Sequence, residues 1–277
     1  MKLGAVLRVF ALGFLFSTMA SAATETYYYY VYANPVAEHE AEFNQWYDQQ
    51  HAFDVVAVPG FMTAQRYVKN DLPLYREADV RLPKYLIVYK IVTDNLESVF
   101  AEVERRLRDQ ETLISPTFDR ANSVQYVYRV FRSQVAGVGG EPPNATPGVK
   151  RSYLHVVFTP FVEGKEEEFN TIYDRYHAIE LASIPGFTSA QRMILARPRS
   201  TRVPATKYLA VFQVETSDLA AVKELTSKPV TPNPGQDVPA TRGYTFRAIG
   251  PLLQGDQVRA DRAAAQKARG TKLNQGR

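Results

Sequence analysis

Two short polar sets carry whatever chemistry this chain can do. Asn44, Asp48 and His51 stand at i, i+4 and i+7, with Tyr47 beside them. Asn170, Asp174, His177 and Tyr173 repeat the set further along. At about 100° per residue, the first three would share one stripe of a helix, within about 60° of each other. An imidazole titrates near neutral pH, so His51 and His177 are candidate general acid/base groups. Asp48 and Asp174 would orient them, and Tyr47 and Tyr173 could hold a developing enolate or phenolate. A purely structural reading stays open. A histidine near a helix C-terminus interacts with the helix dipole, an aspartate three residues before it can pair with it, and the tyrosines would then be core.

Other chemistries find less support. The 277 residues include no cysteine, which excludes thiolate and Cys-ligated metal chemistry. Only four histidines exist (His39, His51, His155 and His177), none with HExxH spacing. No metal site is expected; any of the four could serve haem as an axial ligand, and nothing in the sequence selects one. Gly137–Gly140 falls between the repeated segments, not between a strand and a helix, so it is no phosphate loop. No nucleophile of the Ser-His-Asp or Cys-His kind is evident.

The elements that must position these residues also come twice. Shifted by 126, Tyr27–Tyr67 lies on Tyr153–Met193 without a gap, and 17 of the 41 positions are identical. The match resumes at a shift of 123 (KYLIVY, KYLAVF) and at 118 (YVYRVF, YTFRAI). Each copy reads as a strand (Tyr27–Ala33; Tyr153–Thr159) and a helix from about Ala37 or Glu163. A Pro-Gly turn and two strands follow (Phe61–Val68 and Lys84–Ile91; Phe187–Leu195 and Lys207–Val214). A second helix (Asp94–Arg108; Ser217–Leu225) and a last strand (Val124–Phe131; Tyr244–Ile249) complete each copy. The expectation is an α+β chain of two ferredoxin-like βαββαβ units, packed sheet to sheet as a pseudo-dimer within one chain. The units span 25–133 and 151–253, with a Gly/Pro-rich linker at 134–150.

The ends read differently from the body. Residues 1–22 have a basic start, an apolar stretch and Ala20-Ser21-Ala22, the pattern of an export signal. Exported, periplasmic or secreted, protein is therefore expected, with no membrane span once the signal is removed. Residues 254–277 read as a basic, disordered tail. The signal contributes +2 and the tail +4 to the net charge of +4, leaving the body at −2. That gives no reason to expect a nucleic-acid partner.

Further binding positions come from aligning the copies. Tyr29, in the run TYYYYVY, faces His155 in SYLHVVF, and a position alternating between Tyr and His suits a pocket wall. Tyr28, Tyr30 and Tyr32 match Leu154, Val156 and Phe158, an apolar face. Trp46 becomes Ile172, as a packing or substrate-lining position can. Asn44 and Asn170 would touch substrate with them.

The strings FNQWYDQQHAFDVVAVPGFMTAQRY and FNTIYDRYHAIELASIPGFTSAQRM resemble the dimeric α+β barrel superfamily, particularly its EthD-like branch. The resemblance covers about 40 residues of each half and implies that fold. It also implies a pocket between sheet and helices with His and Tyr as its polar groups: His51, Asp48 and Tyr47, and His177, Asp174 and Tyr173. Superfamily members include cofactor-free cyclases, isomerases, monooxygenases and dehydratases, and haem binders. The expected function is an exported, cofactor-independent lyase, isomerase or cyclase acting on a hydrophobic aromatic or polyketide-like molecule. The alternative is a non-catalytic binder of a hydrophobic ligand or haem. Either could assemble into a further homo-oligomer.

Overall fold

The computed structural model describes residues 23–75, 82–198, 205–228 and 230–275. The expected export signal lies outside them.

The aromatic, β-branched run at the start forms β1 (Glu25–Ala33). A three-part helix follows: α1 (Glu40–Trp46), a π-helical turn (Tyr47–His51) and α2 (Ala52–Val56). Then come β2 (Phe61–Lys69), β3 (Tyr85–Thr93), α3 (Leu96–Arg108) and β4 (Val124–Val130). A two-residue strand β5 (Val135–Ala136) leads to β6 (Arg151–Phe158). The order then repeats as α4 (Glu166–Ile172), a second π-turn (Tyr173–His177), α5 (Ala178–Ala182), β7 (Phe187–Pro198), β8 (Tyr208–Thr216), α6 (Leu219–Thr226) and β9 (Arg242–Gln254). A terminal helix, α7 (Gly255–Gln275), closes the chain.

The strands run β4-β1-β3-β2-β9-β6-β8-β7, and β4 also pairs with β7, so eight strands close into a barrel. Closure leaves those eight without a free edge. Hydrogen bonds join the halves at two seams: β2 with β9, and β4 with β7. The barrel interior is one apolar cluster containing Tyr30, Tyr32, Tyr126, Tyr128, Phe158, Tyr244 and Phe246. Outside it, two further cores lie under the helices of each half, around Phe43 and Phe61 and around Phe169 and Phe187. Strand alternation sorts the tyrosine run accordingly: Tyr28, Tyr30 and Tyr32 face the barrel interior, and Tyr27, Tyr29 and Val31 face the helices.

Both helical stretches begin about three residues later than the sequence suggests. Glu38 and Gly164 sit just before them at φ 66° and 78°, a left-handed conformation that no helix continues through. The Pro-Gly turns need their glycines. Gly60 and Gly186 have φ 93° and 96°, and a Cβ at either would meet Val99 or Val222 at 2.8 Å.

The reading of 254–277 as a disordered tail is corrected. β9 continues to Gln254, and the Ala-rich stretch beyond it forms α7. The helix is tied to the first half. Arg259 Nη1 donates to the carbonyls of Val56 (3.2 Å) and Phe61 (3.0 Å), Arg262 Nη2 donates to Asp54 Oδ1 (2.5 Å), and Val258 is buried. The linker, expected to lack periodic structure, contributes β5, which pairs with Ser189 and Ala190. No helix among the described residues is long and apolar enough to cross a membrane.

Candidate functional site

The repeated stripe divides at the π-turns. A π-turn advances each residue less about the helix axis than an α-turn. It therefore carries His51 away from Asp48, and His177 away from Asp174. Asp48 and Asn44 instead face the strand beneath: Arg66 Nη1 donates to Asp48 Oδ1, and Nη2 to Asn44 Oδ1 (2.6 Å). In the second half Arg192 donates to Asp174 Oδ1 (2.5 Å) and to Asn170 Oδ1 (2.7 Å). Both guanidiniums are buried. Arg66 lies 4.9 Å from the Tyr47 ring centroid, and Arg192 lies 4.5 Å from that of Tyr173. Asn44 and Asn170 also donate to Tyr85 and Tyr208, whose hydroxyls bond Glu40 and Glu166. These four residues make contacts that neither the catalytic nor the helix-dipole reading anticipated. Asp48, Asp174, Asn44 and Asn170 clamp the first helical stretch of each half onto its sheet, and none is bonded to a histidine.

The histidines go inward, and there the halves differ. In the first half His51 is 8% exposed and stacked on Trp46 at 4.3 Å between centroids. Its Nδ1 is buried without a partner among the described residues, as is Trp46 Nε1. Burial pulls His51 down to about 3, opposed in part by a hydrogen bond to the backbone at Leu113. Tyr29 packs on Phe100 (5.3 Å) and Tyr89 (5.9 Å), and its hydroxyl donates to Gln125. Aromatic rings thus fill the space between sheet and helices around His51.

In the second half the same region is a cavity of about 560 Å³. His155, Tyr173 and His177 line it, with Phe187, Phe212, Leu181 and Val157 as its apolar wall. Its size and apolar lining with a few convergent polar groups suit a small organic ligand. Three aligned positions differ here: His155 for Tyr29, Ile172 for Trp46, and Lys223 for Phe100, with His155 and Lys223 lining the cavity. α6 is also five residues shorter than α3, with 8 residues against 13.

His177 donates Nε2–H to the Thr231 carbonyl. A carbonyl only accepts, so the neutral ring keeps its lone pair on Nδ1. Among the described residues Nδ1 has no hydrogen-bond partner. Thr231 is itself fixed by Glu180, which accepts from its N–H (3.0 Å) and its hydroxyl. Tyr173 stands one helical turn before His177, with ring centroids 5.3 Å apart. Burial raises the Tyr173 phenol well above its usual range, against a smaller lowering by Arg192, so it stays protonated. Its hydroxyl has no protein partner among the described residues. His155 Nδ1 lies 3.0 Å from Thr245 Oγ1; burial pulls it down to about 4, opposed in part by a backbone hydrogen bond at Tyr244, so this ring is neutral at physiological pH.

Two parts of the wall were not foreseen from the sequence. Leu74 and Tyr75, from the β2–β3 connection of the first half, cross over and cover the second half's cavity. Leu74 N–H donates to Thr245 Oγ1 (3.1 Å), and its carbonyl accepts from Thr226 (3.0 Å). Gly243 permits this: a Cβ there would come within 2.8 Å of Tyr75 Cβ and 3.1 Å of His155 Cε1. The second part is the α6–β9 connection, including Thr231, Asn233 and Gln236. The change of repeat shift from 126 to 123 to 118 marks both connections as places where the halves diverge. Of the other expected residues, Trp46, Tyr29, Tyr47 and His51 are together in the first half, without the cavity. His39 is exposed beside Glu42, 3.9 Å away.

No protein-family model matches the chain, and no curated protein sequence does. Solved structures do. An anthrone oxidase-like protein shares the fold at 10% identity with a TM-score of 0.51, over 83% of this chain and 93% of that one. A protein from Fusobacterium nucleatum subsp. nucleatum described as a putative monooxygenase aligns at 9% identity and TM-score 0.48, over 84% and 95%. Its counterpart from Lactobacillus acidophilus NCFM aligns at 9% and 0.44, over 83% and 97%. These neighbours belong to the dimeric α+β barrel superfamily. The fold, shared with the anthrone oxidase-like protein, is a mixed α/β one with an eight-stranded, barrel-like sheet.

Proposed function

We propose that this chain is a small-molecule enzyme of the dimeric α+β barrel type, a tandem of two ferredoxin-like units whose second unit holds the active site. The reaction is a cofactor-independent proton transfer on a hydrophobic aromatic or polyketide-like carbonyl compound, leading to isomerisation, cyclisation or elimination. The single observation that carries this reading is the pairing, in one apolar cavity, of a lone-pair-bearing His177 with the unpartnered Tyr173 hydroxyl.

His177 Nδ1 takes a proton from a carbon next to the substrate carbonyl or conjugated with it through an aromatic ring, and the C–H electron pair becomes an enolate or phenolate. The Tyr173 hydroxyl donates to the oxygen on which that charge develops. His155, neutral beside it, adds a second polar contact without placing a charge in the wall. The His177 imidazolium then returns the proton to another carbon, or to a leaving group. His51, packed against Trp46 and Tyr47, serves packing only. The EthD-like affinity and the export of the protein belong to the same proposal.

The name of the first structural neighbour suggests the test substrate. Anthrone in D2O at neutral pH should exchange its C10 protons faster with the protein than with buffer or with boiled protein, followed by NMR. Exchange no faster than the buffer rate, across anthrone and a panel of naphthols and β-diketones, would contradict the proposal. A Soret band in protein expressed with haem supplied would favour the binding alternative instead.

A further inference from the structure

Lys223 stands in the wall of an apolar cavity, with no counter-ion among the described residues. It sits on α6, half-buried, and no carboxylate pairs with it among the described residues. Other lysines of the fold do find one: Lys84 Nζ is 2.5 Å from Glu40, and Lys207 Nζ is 2.6 Å from Glu166. Lys228 stands at the rim of the same cavity. Among the described residues no aspartate or glutamate lines it, and Glu180, behind the wall, is occupied by Thr231. The corresponding position in the first half is Phe100, fully buried against Tyr29. The cation therefore stands in the half whose space between sheet and helices is open.

A half-buried charge facing an apolar space is costly unless something of opposite sign meets it there. We infer that the ligand of this site is an amphiphilic anion: an aromatic or polyketide-like body carrying a carboxylate, with that carboxylate bound at Lys223. The apolar body rests on Phe187, Phe212 and Val157, which leaves the Tyr173 and His177 side of the cavity to the reacting carbonyl. The inference rests on the cavity being the substrate site, and it adds Lys223 as a specificity-determining residue.

Titration calorimetry with 1-hydroxy-2-naphthoate and its methyl ester tests it. Wild-type protein should bind the acid at least tenfold more tightly than the ester, with the preference shrinking as NaCl is raised. Lys223→Met keeps the apolar stem, so it should bind the ester as wild type does and lose the preference. Lys223→Arg should retain it. Unchanged melting temperatures establish that the variants fold. Equal affinity for acid and ester in wild type, or a preference that survives in Lys223→Met, overturns the inference and leaves the cavity as a ligand site. Failure of both compounds to bind overturns the inference together with the reading it rests on.

Discussion

His177 gives its Nε2 proton to the carbonyl of Thr231, a residue that Glu180 in turn holds from below. The bond fixes which ring nitrogen is basic, and it does so from a connection in which the two halves differ. Glu180→Gln should loosen this arrangement without removing either histidine or tyrosine. The expected result is a loss of about tenfold in kcat for proton exchange, with ligand affinity nearly unchanged, because an orienting contact acts on the transition state. Stopped-flow or NMR exchange rates at saturating ligand would read it.

Tyr173→Phe removes one hydroxyl and keeps the ring beside Arg192. An oxyanion donor of this kind is worth about 10²-fold in rate. The variant should therefore melt within about 1 kcal/mol of wild type and turn over about 10²-fold more slowly. Tyr47→Phe, in the first half, should leave turnover unchanged.

The aspartates should behave oppositely. Asp174→Ala leaves the buried Arg192 guanidinium short of its carboxylate, and the cost should be about 2–4 kcal/mol of stability by chemical denaturation. Asp48→Ala should cost less, because the Asp48 side chain is 52% exposed and its pair is better screened. Neither should alter the pH profile of exchange.

Acid should destabilise the fold before the carboxylates titrate. His51 and His155 are held at about 3 and about 4, below the ordinary histidine value, so the unfolded chain binds more protons than the folded one as pH falls through about 6.5. Stability is thus complete above about pH 6.5 and declines below it. At pH 5 each ring accounts for a loss of about 2 kcal/mol by the linkage relation. The melting temperature of His51→Gln should fall less steeply between pH 6.5 and 5 than that of wild type.

Export makes a prediction of its own. Protein recovered from the periplasm or medium should begin near Ala23, measured by intact mass, and the unprocessed chain should stay in the cell. A secreted protein still carrying residues 1–22 would contradict the signal reading.

Much of the barrel was legible in the sequence because strand alternation and repeat spacing are local signals. Tyr30 and Tyr32 against Tyr29 and Val31 already divide one strand into two faces. The site was legible only in its residue types. Nothing in YDQQH or YDRYH announces a π-turn, so the expected stripe of Asn44, Asp48 and His51 broke where the helix widens. The cavity depends on Leu74, Tyr75 and Thr231, brought in by connections whose paths tertiary packing decides. α7 was missed because its basic composition suggested solvent, whereas Arg259 spends its charge on the carbonyls of Val56 and Phe61. The exchange of Tyr29 for His155 stands in the sequence where the halves differ, whereas the exchange of Phe100 for Lys223 became legible only in the structure.

The account turns on one histidine of a related pair. His177→Gln and His51→Gln, both checked for unchanged circular dichroism, should be compared for catalysed proton exchange at pH 7. His177→Gln should lose about 10²–10⁴-fold, the range expected for a positioned general base, while His51→Gln should keep the wild-type rate. Full activity in His177→Gln, or equal losses in the two variants, would contradict a single acid–base site in the second half.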